Sequence, residues 1–110
     1  KGVCLMRIQI FTSPLCSHRE AALDIIRESL MESGVEEDIE EIEVLNFEHA
    51  KELRCFGSPT VRIDGVDVEY GNREPEEFTA GCRYYNTPEG WKPVAPKNAV
   101  TGAIARASRG

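Results

Sequence analysis

The sequence predicts an α/β fold in which the elements follow the order βαβαββα, and three observations support this prediction. Residues 5–12 alternate apolar and polar side chains before a Ser-Pro pair, which is typical of a strand that ends in a turn. The next segment places apolar residues at helical spacing until Gly34. Further along, an Asp-Gly pair at 64–65 separates two short apolar runs, as in a β-hairpin.

The first helix is predicted to begin at Ser17. Ser17 is a good N-cap residue, and Glu20 follows three residues later, as in a capping box. The apolar face of this helix comprises Ala22, Leu23, Ile26 and Leu30. Cys16 is therefore expected immediately before the first helical turn.

The remaining elements are predicted from shorter apolar runs and the turn residues between them. They are a strand at 38–46, a short helix at 47–56, hairpin strands at 60–64 and 66–69, a loop-rich insertion at 70–96 with a short extended piece near 82–85, and a closing helix at 98–109. We expect residues 1–4 to be frayed and residues 1–110 to form one domain.

The composition restricts the classes of partner. Asp and Glu outnumber Lys and Arg by 19 to 13, giving a formal net charge of -6, which argues against nucleic acid or an anionic membrane as a partner. No apolar run is long enough to span a bilayer, and the opening residues do not resemble a signal peptide. We therefore expect a cytoplasmic protein, and the composition is compatible with a monomer.

The chain has four cysteines, at positions 4, 16, 55 and 82. They are too few for a disulfide scaffold, and no two of them have the spacing of a C-x-x-C motif. The sequence thus predicts no metal and no cofactor, and thiols that are free in a reducing compartment. Cys16 stands out because unpaired N–H groups and the helix dipole at a helix start stabilise a thiolate, the nucleophilic form of cysteine. The alternative is that Cys16 is a small, half-buried apolar residue.

A cysteine at a helix start and a Ser58-Pro59-Thr60 segment opening a hairpin resemble the thioredoxin superfamily. More narrowly, LRCFGSPTVRIDG followed by CRYY resembles small bacterial thioredoxin-like proteins, some of which are labelled alkylmercury-lyase-like. The resemblance implies a central mixed sheet, Cys16 as the active-site thiol, and a cis Ser58–Pro59 bond beside it. It also implies that Ser58, Thr60 and His18 contact the substrate, with backbone groups at the cis bond free to pair with it.

The chain departs from the family at position 19, where the second redox cysteine would lie and where Arg19 stands instead. The motif C-S-H-R is therefore a monothiol version. Arg19 has two interpretations: its charge stabilises the Cys16 thiolate, or it is a solvated side chain. His18 forms a C-x-H pair with Cys16 and either contributes to a metal site or influences the thiolate, or it is an exposed histidine at the helix start.

Cys82 is the candidate for the missing second thiol. The return strand of the hairpin brings the chain back towards Pro59, and the residues between Tyr70 and Cys82 are enough to fold over Cys16. Cys82 either resolves a mixed disulfide on Cys16 or is a buried cysteine in a covering strand. Cys55 is predicted to fill the core.

Three hypotheses about function follow from these residues. In the first, the chain is a thiol–disulfide oxidoreductase or redox carrier that acts on protein or small-molecule thiols and disulfides. In the second, Cys16 and Cys82 bind a soft metal ion or an organomercurial compound. In the third, the chain is a thioredoxin-like adaptor without thiol chemistry.

Overall fold

The computed structural model describes residues 6–14, 16–71 and 79–109. In chain order the elements are β1 (Ile8–Thr12), α1 (Arg19–Ser33), β2 (Ile39–Glu43), α2 (Phe47–Leu53), β3 (Phe56–Ser58), β4 (Thr60–Ile63), β5 (Val66–Asp67), β6 (Thr79–Cys82), β7 (Tyr85–Thr87), β8 (Gly90–Lys92) and α3 (Lys97–Arg109). The predicted fraying of residues 1–4, the strand residue Leu5 and the loop at 72–78 lie outside the described residues.

The main sheet has four strands in the order β2-β1-β4-β5. Strand β1 pairs parallel with β2, with Ile8 opposite Ile39, and antiparallel with β4, with Ile8 opposite Ile63. The sheet is therefore mixed, which confirms the predicted fold class.

The two faces of β1 build two apolar clusters, because successive side chains of a strand point to opposite faces. Ile8 and Ile10 pack with apolar residues of α1 and α3 in the larger cluster. Phe11 packs on the other face with Ala50 of α2 and with Cys55, whose exposed fraction is 0%. The prediction that Cys55 fills the core is confirmed.

The predicted start of the first helix is wrong by two residues. Helix α1 begins at Arg19, and its N-cap is His18, which makes no side-chain cap hydrogen bond. A tight turn, in which the Cys16 N–H donates to the Ser13 carbonyl at 3.1 Å, delays the helix. Glu20, the expected partner in a capping box, instead forms an ion pair with Arg19 at 2.6 Å.

The described part of the predicted loop at 70–96 contains three short strands. Strand β6 pairs parallel with β3, and β7 pairs antiparallel with β8. Strands of three or four residues carry too little periodicity to be identified from the sequence. Strand β3 was also missed, and the predicted helix extended into its first residue, Phe56. Helix α2 ends earlier, at Leu53, with Arg54 in the left-handed conformation that closes a helix.

The second hairpin strand is shorter than predicted. It ends at Asp67, because the Asp67 carboxylate accepts the backbone N–H groups of Glu69 and Tyr70 at 2.8 and 2.9 Å and so forms a turn. Among the helices that the structure describes, none is both long and apolar enough to cross a membrane.

Candidate active site at the Cys16 turn

Cys16 lies half-buried in the turn between β1 and α1. It stands two residues before the N-cap of α1, rather than immediately before the helix as the sequence predicted. The influence of a helix dipole falls off within the first turn, so this position matters for the thiol. Stabilisation of the thiolate by α1 therefore stays a prediction.

The Cys16 turn is attached directly to the residue before Pro59. The backbone N–H of Ser13, which opens the turn, donates to Ser58 Oγ at 3.0 Å. Ser58 is buried, and the Ser58–Pro59 peptide bond is cis. Ser58 therefore uses its side chain to support the cysteine turn, and its predicted contact with a substrate remains a prediction.

Ser58 also contacts the segment that carries Cys82. Its carbonyl oxygen accepts the Arg83 N–H at 3.0 Å, and Ser58 and Cys82 are register partners in the parallel pair of β3 and β6. The side chain of Cys82 lies outside the described residues. The backbones that carry Cys16 and Cys82 are thus both hydrogen-bonded, through neighbouring residues, to Ser58.

Gly57 permits the close approach of β3 and β6. Its φ of +118° is a conformation that side chains rarely adopt. A Cβ atom at this position would lie 2.8 Å from Arg83 Cβ and 3.2 Å from the Gly81 carbonyl oxygen. The pairing of the two strands therefore depends on a residue without a side chain at position 57.

Backbone acceptors at the cis bond are occupied by the chain itself. The hydroxyl of Tyr85 donates to the Pro59 carbonyl oxygen at 2.6 Å, and the Ser58 carbonyl is taken by Arg83. Burial raises the pKa of Tyr85, which keeps its hydroxyl protonated as a donor. Each of these two carbonyl groups thus already accepts one hydrogen bond from the chain, and pairing of a substrate with backbone groups at the cis bond stays a prediction.

Thr60 is directed into the protein, with an exposed fraction of 0%. Its hydroxyl donates to the Gly57 carbonyl at 2.5 Å and accepts from Arg83 Nη1 at 3.1 Å. Its side chain is thus committed to the fold. Contact of Thr60 with a substrate stays a prediction.

Arg19 forms ion pairs with Glu20 and Glu41. Its guanidinium is therefore held by carboxylates at the surface of α1 and β2. The two predicted interpretations placed it beside the Cys16 thiolate or in solvent. His18 is half-buried, and its carbonyl accepts the Ala22 N–H at 3.0 Å as the N-cap of α1. A role for the His18 imidazole stays a prediction.

A buried ion pair behind the cis bond was not identified from the sequence. Arg83 forms a bidentate pair with Asp67, at 2.7 and 2.8 Å, and a further contact with Glu69 at 3.2 Å. Burial alone would lower the pKa of Arg83, but the Asp67 hydrogen bond and charge raise it above its ordinary value, so the guanidinium stays charged. Sequence periodicity carries no signal for such a pair, because Asp67 lies on β5 and Arg83 lies in the connection between β6 and β7.

An apolar groove of about 540 Å³ lies beside the Cys16 turn. It is lined by Pro14 of the turn, by Leu45 before α2, by Phe47 at the start of α2, and by Gly81 of β6. Leu45 and Phe47 are 62% and 65% exposed. The signal available in the sequence was the pair of large apolar residues on either side of Asn46, the N-cap of α2.

The described residues contain no group of three or more His, Cys, Asp or Glu side chains arranged to hold a metal ion. A site made of the two thiolates of Cys16 and Cys82 is a separate hypothesis and stays a prediction. The chemistry that the described site offers is that of a half-buried thiol in a turn attached to a cis-proline strand.

A mixed α/β sheet with a cysteine turn beside a cis-proline defines a thioredoxin-like class of protein, and comparisons with known proteins agree. A probable thioredoxin of Methanothermobacter thermautotrophicus is 32% identical over 75 residues, which cover 67% of this chain and 88% of the relative. A thioredoxin of Methanocaldococcus jannaschii is 36% identical over 66 residues, covering 59% and 76%. A probable thioredoxin of Methanothermobacter marburgensis is 30% identical over 63 residues, covering 56% and 74%.

No family model matches the sequence, and no solved structure matches it significantly. The similarity to these three thioredoxins nevertheless shows the family: the chain belongs to the thioredoxin superfamily.

Proposed function

We propose that this chain is a cytoplasmic thiol–disulfide oxidoreductase or redox carrier in which Cys16 is the nucleophile and Cys82 is the resolving thiol. Membership of the thioredoxin superfamily supports a redox function acting on protein thiols and disulfides. The monothiol motif at Cys16 makes a second cysteine outside that motif necessary for a complete dithiol cycle.

The observation that carries the proposal is the position of Ser58 between the two cysteine segments. Its Oγ accepts from Ser13 in the Cys16 turn, and its backbone is the register partner of Cys82. Disulfide formation requires Cα atoms within about 7 Å of each other, so the two backbones must be held close for resolution to occur. An arrangement in which both segments contact one residue favours such proximity.

The proposed cycle consists of two thiol–disulfide exchange steps. The Cys16 thiolate attacks one sulfur of a substrate disulfide, forms a mixed disulfide and releases the other half as a thiolate. Cys82, after losing its proton to solvent, attacks the Cys16 sulfur and releases the second half. The substrate gains two electrons and the protein becomes a Cys16–Cys82 disulfide, which an external thiol or dithiol reduces.

The groove beside Cys16 supports a protein substrate rather than a small thiol alone. Leu45, Phe47 and Pro14 present apolar surface next to the turn, and exposed apolar patches of this kind commonly bind partners. We propose that an apolar side chain near the substrate cysteine occupies this groove.

The cycle is tested by trapping its intermediate. We expect Cys82→Ser to accumulate a mixed disulfide on Cys16 when mixed with one equivalent of a disulfide-linked peptide, because the resolving thiol is absent. The wild type should instead release both peptide halves and form an internal disulfide. Acid quenching followed by mass spectrometric mapping identifies each species, and Cys16→Ser serves as the variant that should form neither.

Thiol accessibility provides an independent prediction. Cys16 is half-buried, whereas Cys55 is fully buried and its Sγ–H donates to the Gly57 carbonyl at 3.3 Å. We therefore expect iodoacetamide to label Cys16 at least about tenfold faster than Cys55 in the native protein. Equal labelling rates in the folded chain would contradict this placement of the two thiols.

The same experiments separate the other two hypotheses. An adaptor without thiol chemistry would leave the peptide disulfide intact in the presence of wild-type protein. A soft-metal protein would retain one mercuric or cuprous ion in mass spectra of the native chain, since two thiolates suit linear coordination, and would lose it in either cysteine variant.

A further inference from the structure

Arg83 is a buried charged side chain near the candidate site, and the proposed cycle does not use it. Its guanidinium donates to both Asp67 oxygens at 2.7 and 2.8 Å, to Thr60 Oγ1 at 3.1 Å and to Glu69 Oε1 at 3.2 Å. The side chains of Arg83 and Asp67 are each only 2% exposed. Fork-like pairing of this kind combines strength with a fixed geometry.

Aromatic rings complete the environment of this guanidinium. Its central carbon lies 4.2 Å from the centroid of the Tyr85 ring and 4.9 Å from that of the Tyr70 ring. Cation–π contacts add to the attraction when the cation is desolvated, as it is here. The Arg83 side chain is therefore fixed on several sides at once.

The backbone of Arg83 is fixed at a different place. Its N–H donates to the Ser58 carbonyl, and the preceding residue, Cys82, is the register partner of Ser58. Strands β3 and β6 form a two-stranded sheet, and two short strands alone are marginally stable in water. Helix α2 packs against β6, and the buried side chain of Arg83, directly after β6, adds a second anchor.

We infer that Arg83 is a positioning residue: its buried ion pair with Asp67 holds β6 against β3 and thereby keeps Cys82 where it can resolve a mixed disulfide on Cys16. This inference rests on the proposed function. On this inference Arg83 affects the rate of the second step of the cycle, in which Cys82 attacks the Cys16 sulfur. It does not affect the first step.

The test separates the two steps with one equivalent of 2,2′-dithiodipyridine, a neutral disulfide. Attack by Cys16 releases one pyridine-2-thione, and attack by Cys82 on the mixed disulfide releases a second, so absorbance resolves both phases. The background carries Cys4→Ser and Cys55→Ala, which leaves only the two thiols of the cycle. Circular dichroism confirms that each variant is folded.

We expect Arg83→Lys, which keeps the charge but loses the fork, to slow the second phase by about tenfold or more, while the first phase changes by less than about twofold. An added small thiol should restore release of the second thione, because it replaces Cys82 from solution. Arg7→Lys, at an exposed ion pair with Glu40, is the matched control and should change neither phase.

A second variant keeps the inference testable where Arg83→Lys does not fold. Asp67→Asn preserves the shape of the partner but removes its charge, and it should slow the same phase. A folded variant that resolves as fast as the background overturns the inference, and so does equal slowing of both phases without rescue by the added thiol. If the background itself shows no second phase, the proposed role of Cys82 fails instead.

Discussion

Arg19 and Arg83 each pair with two carboxylates, but they do so at very different depths in the molecule. The Arg19 side chain is 42% exposed and contacts Glu20 and Glu41 at the surface. Arg83 is 2% exposed and contacts Asp67 and Glu69 behind the cis bond. The C-S-H-R motif makes the first arginine a candidate site residue, whereas no sequence pattern indicates the second.

The comparison shows that burial, rather than the number of ion pairs, sets the energetic weight of a charged group. Exposed pairs contribute about 0–1 kcal/mol, because water and salt screen them. Removing one partner of a buried pair costs about 3–5 kcal/mol, because the other charge is left without compensation in a poorly solvated place. The two arginines should therefore respond very differently to substitution.

The largest expected effect is that of Arg83→Met. This change leaves Asp67 buried without its cation, and we expect the free energy of unfolding to fall by about 3–5 kcal/mol. Denaturant titration followed by circular dichroism measures the change.

A double-mutant cycle sharpens this prediction. Adding Asp67→Asn to Arg83→Met removes the uncompensated charge, so the double variant should be less destabilised than the sum of the two single changes. Simple additivity would show that the two side chains act independently, contrary to the structure.

Tyr85→Phe should have a smaller effect in the same buried region. The change removes the hydroxyl that donates to the Pro59 carbonyl and leaves that oxygen without its 2.6 Å partner. We expect a loss of about 1–3 kcal/mol in the free energy of unfolding. Tyr84→Phe, at a side chain that is 53% exposed, provides the matched control and should stay within about 0.5 kcal/mol of the wild type.

The contrast also explains which features could be predicted from the sequence. Strand β1, helix α1 and the hairpin were predictable, because each has a local periodicity or a turn signal. The approach of Arg83 to Asp67 was not, because the pair joins residues 16 positions apart, one on β5 and one in the connection after β6. Short strands such as β6 carry no periodicity of their own and form only through contacts with the rest of the fold.

Within the candidate site, residue type was more informative than orientation. The Ser-Pro-Thr segment is recognisable from its residue types, and Ser58 contacts Ser13 of the Cys16 turn. Yet Thr60 points inward, and the carbonyls at the cis bond are already paired. The direction of a side chain and the hydrogen-bond partners of a backbone group depend on neighbouring residues in the fold, which a linear sequence does not reveal.

The smallest expected effect is that of Arg19→Gln, and it tests the interpretation in which Arg19 activates Cys16. Its guanidinium forms ion pairs with Glu20 and Glu41 at the surface. The two carboxylates therefore offset most of the electrostatic effect of Arg19 on the Cys16 thiol. We expect the free energy of unfolding to fall by less than about 1 kcal/mol and the iodoacetamide labelling rate of Cys16 to fall by about twofold or less.

Salt dependence and a compensating change make this last measurement decisive. Since exposed charges are screened over about 8 Å at physiological ionic strength, the small effect of Arg19→Gln should shrink further as salt is added. Adding Glu41→Gln removes the carboxylate left behind and should return the labelling rate of Cys16 towards the wild-type value. A fall of about tenfold or more that persists in high salt would mean instead that the guanidinium acts on the thiolate at short range, and Arg19 would then belong with Cys16 in the reaction.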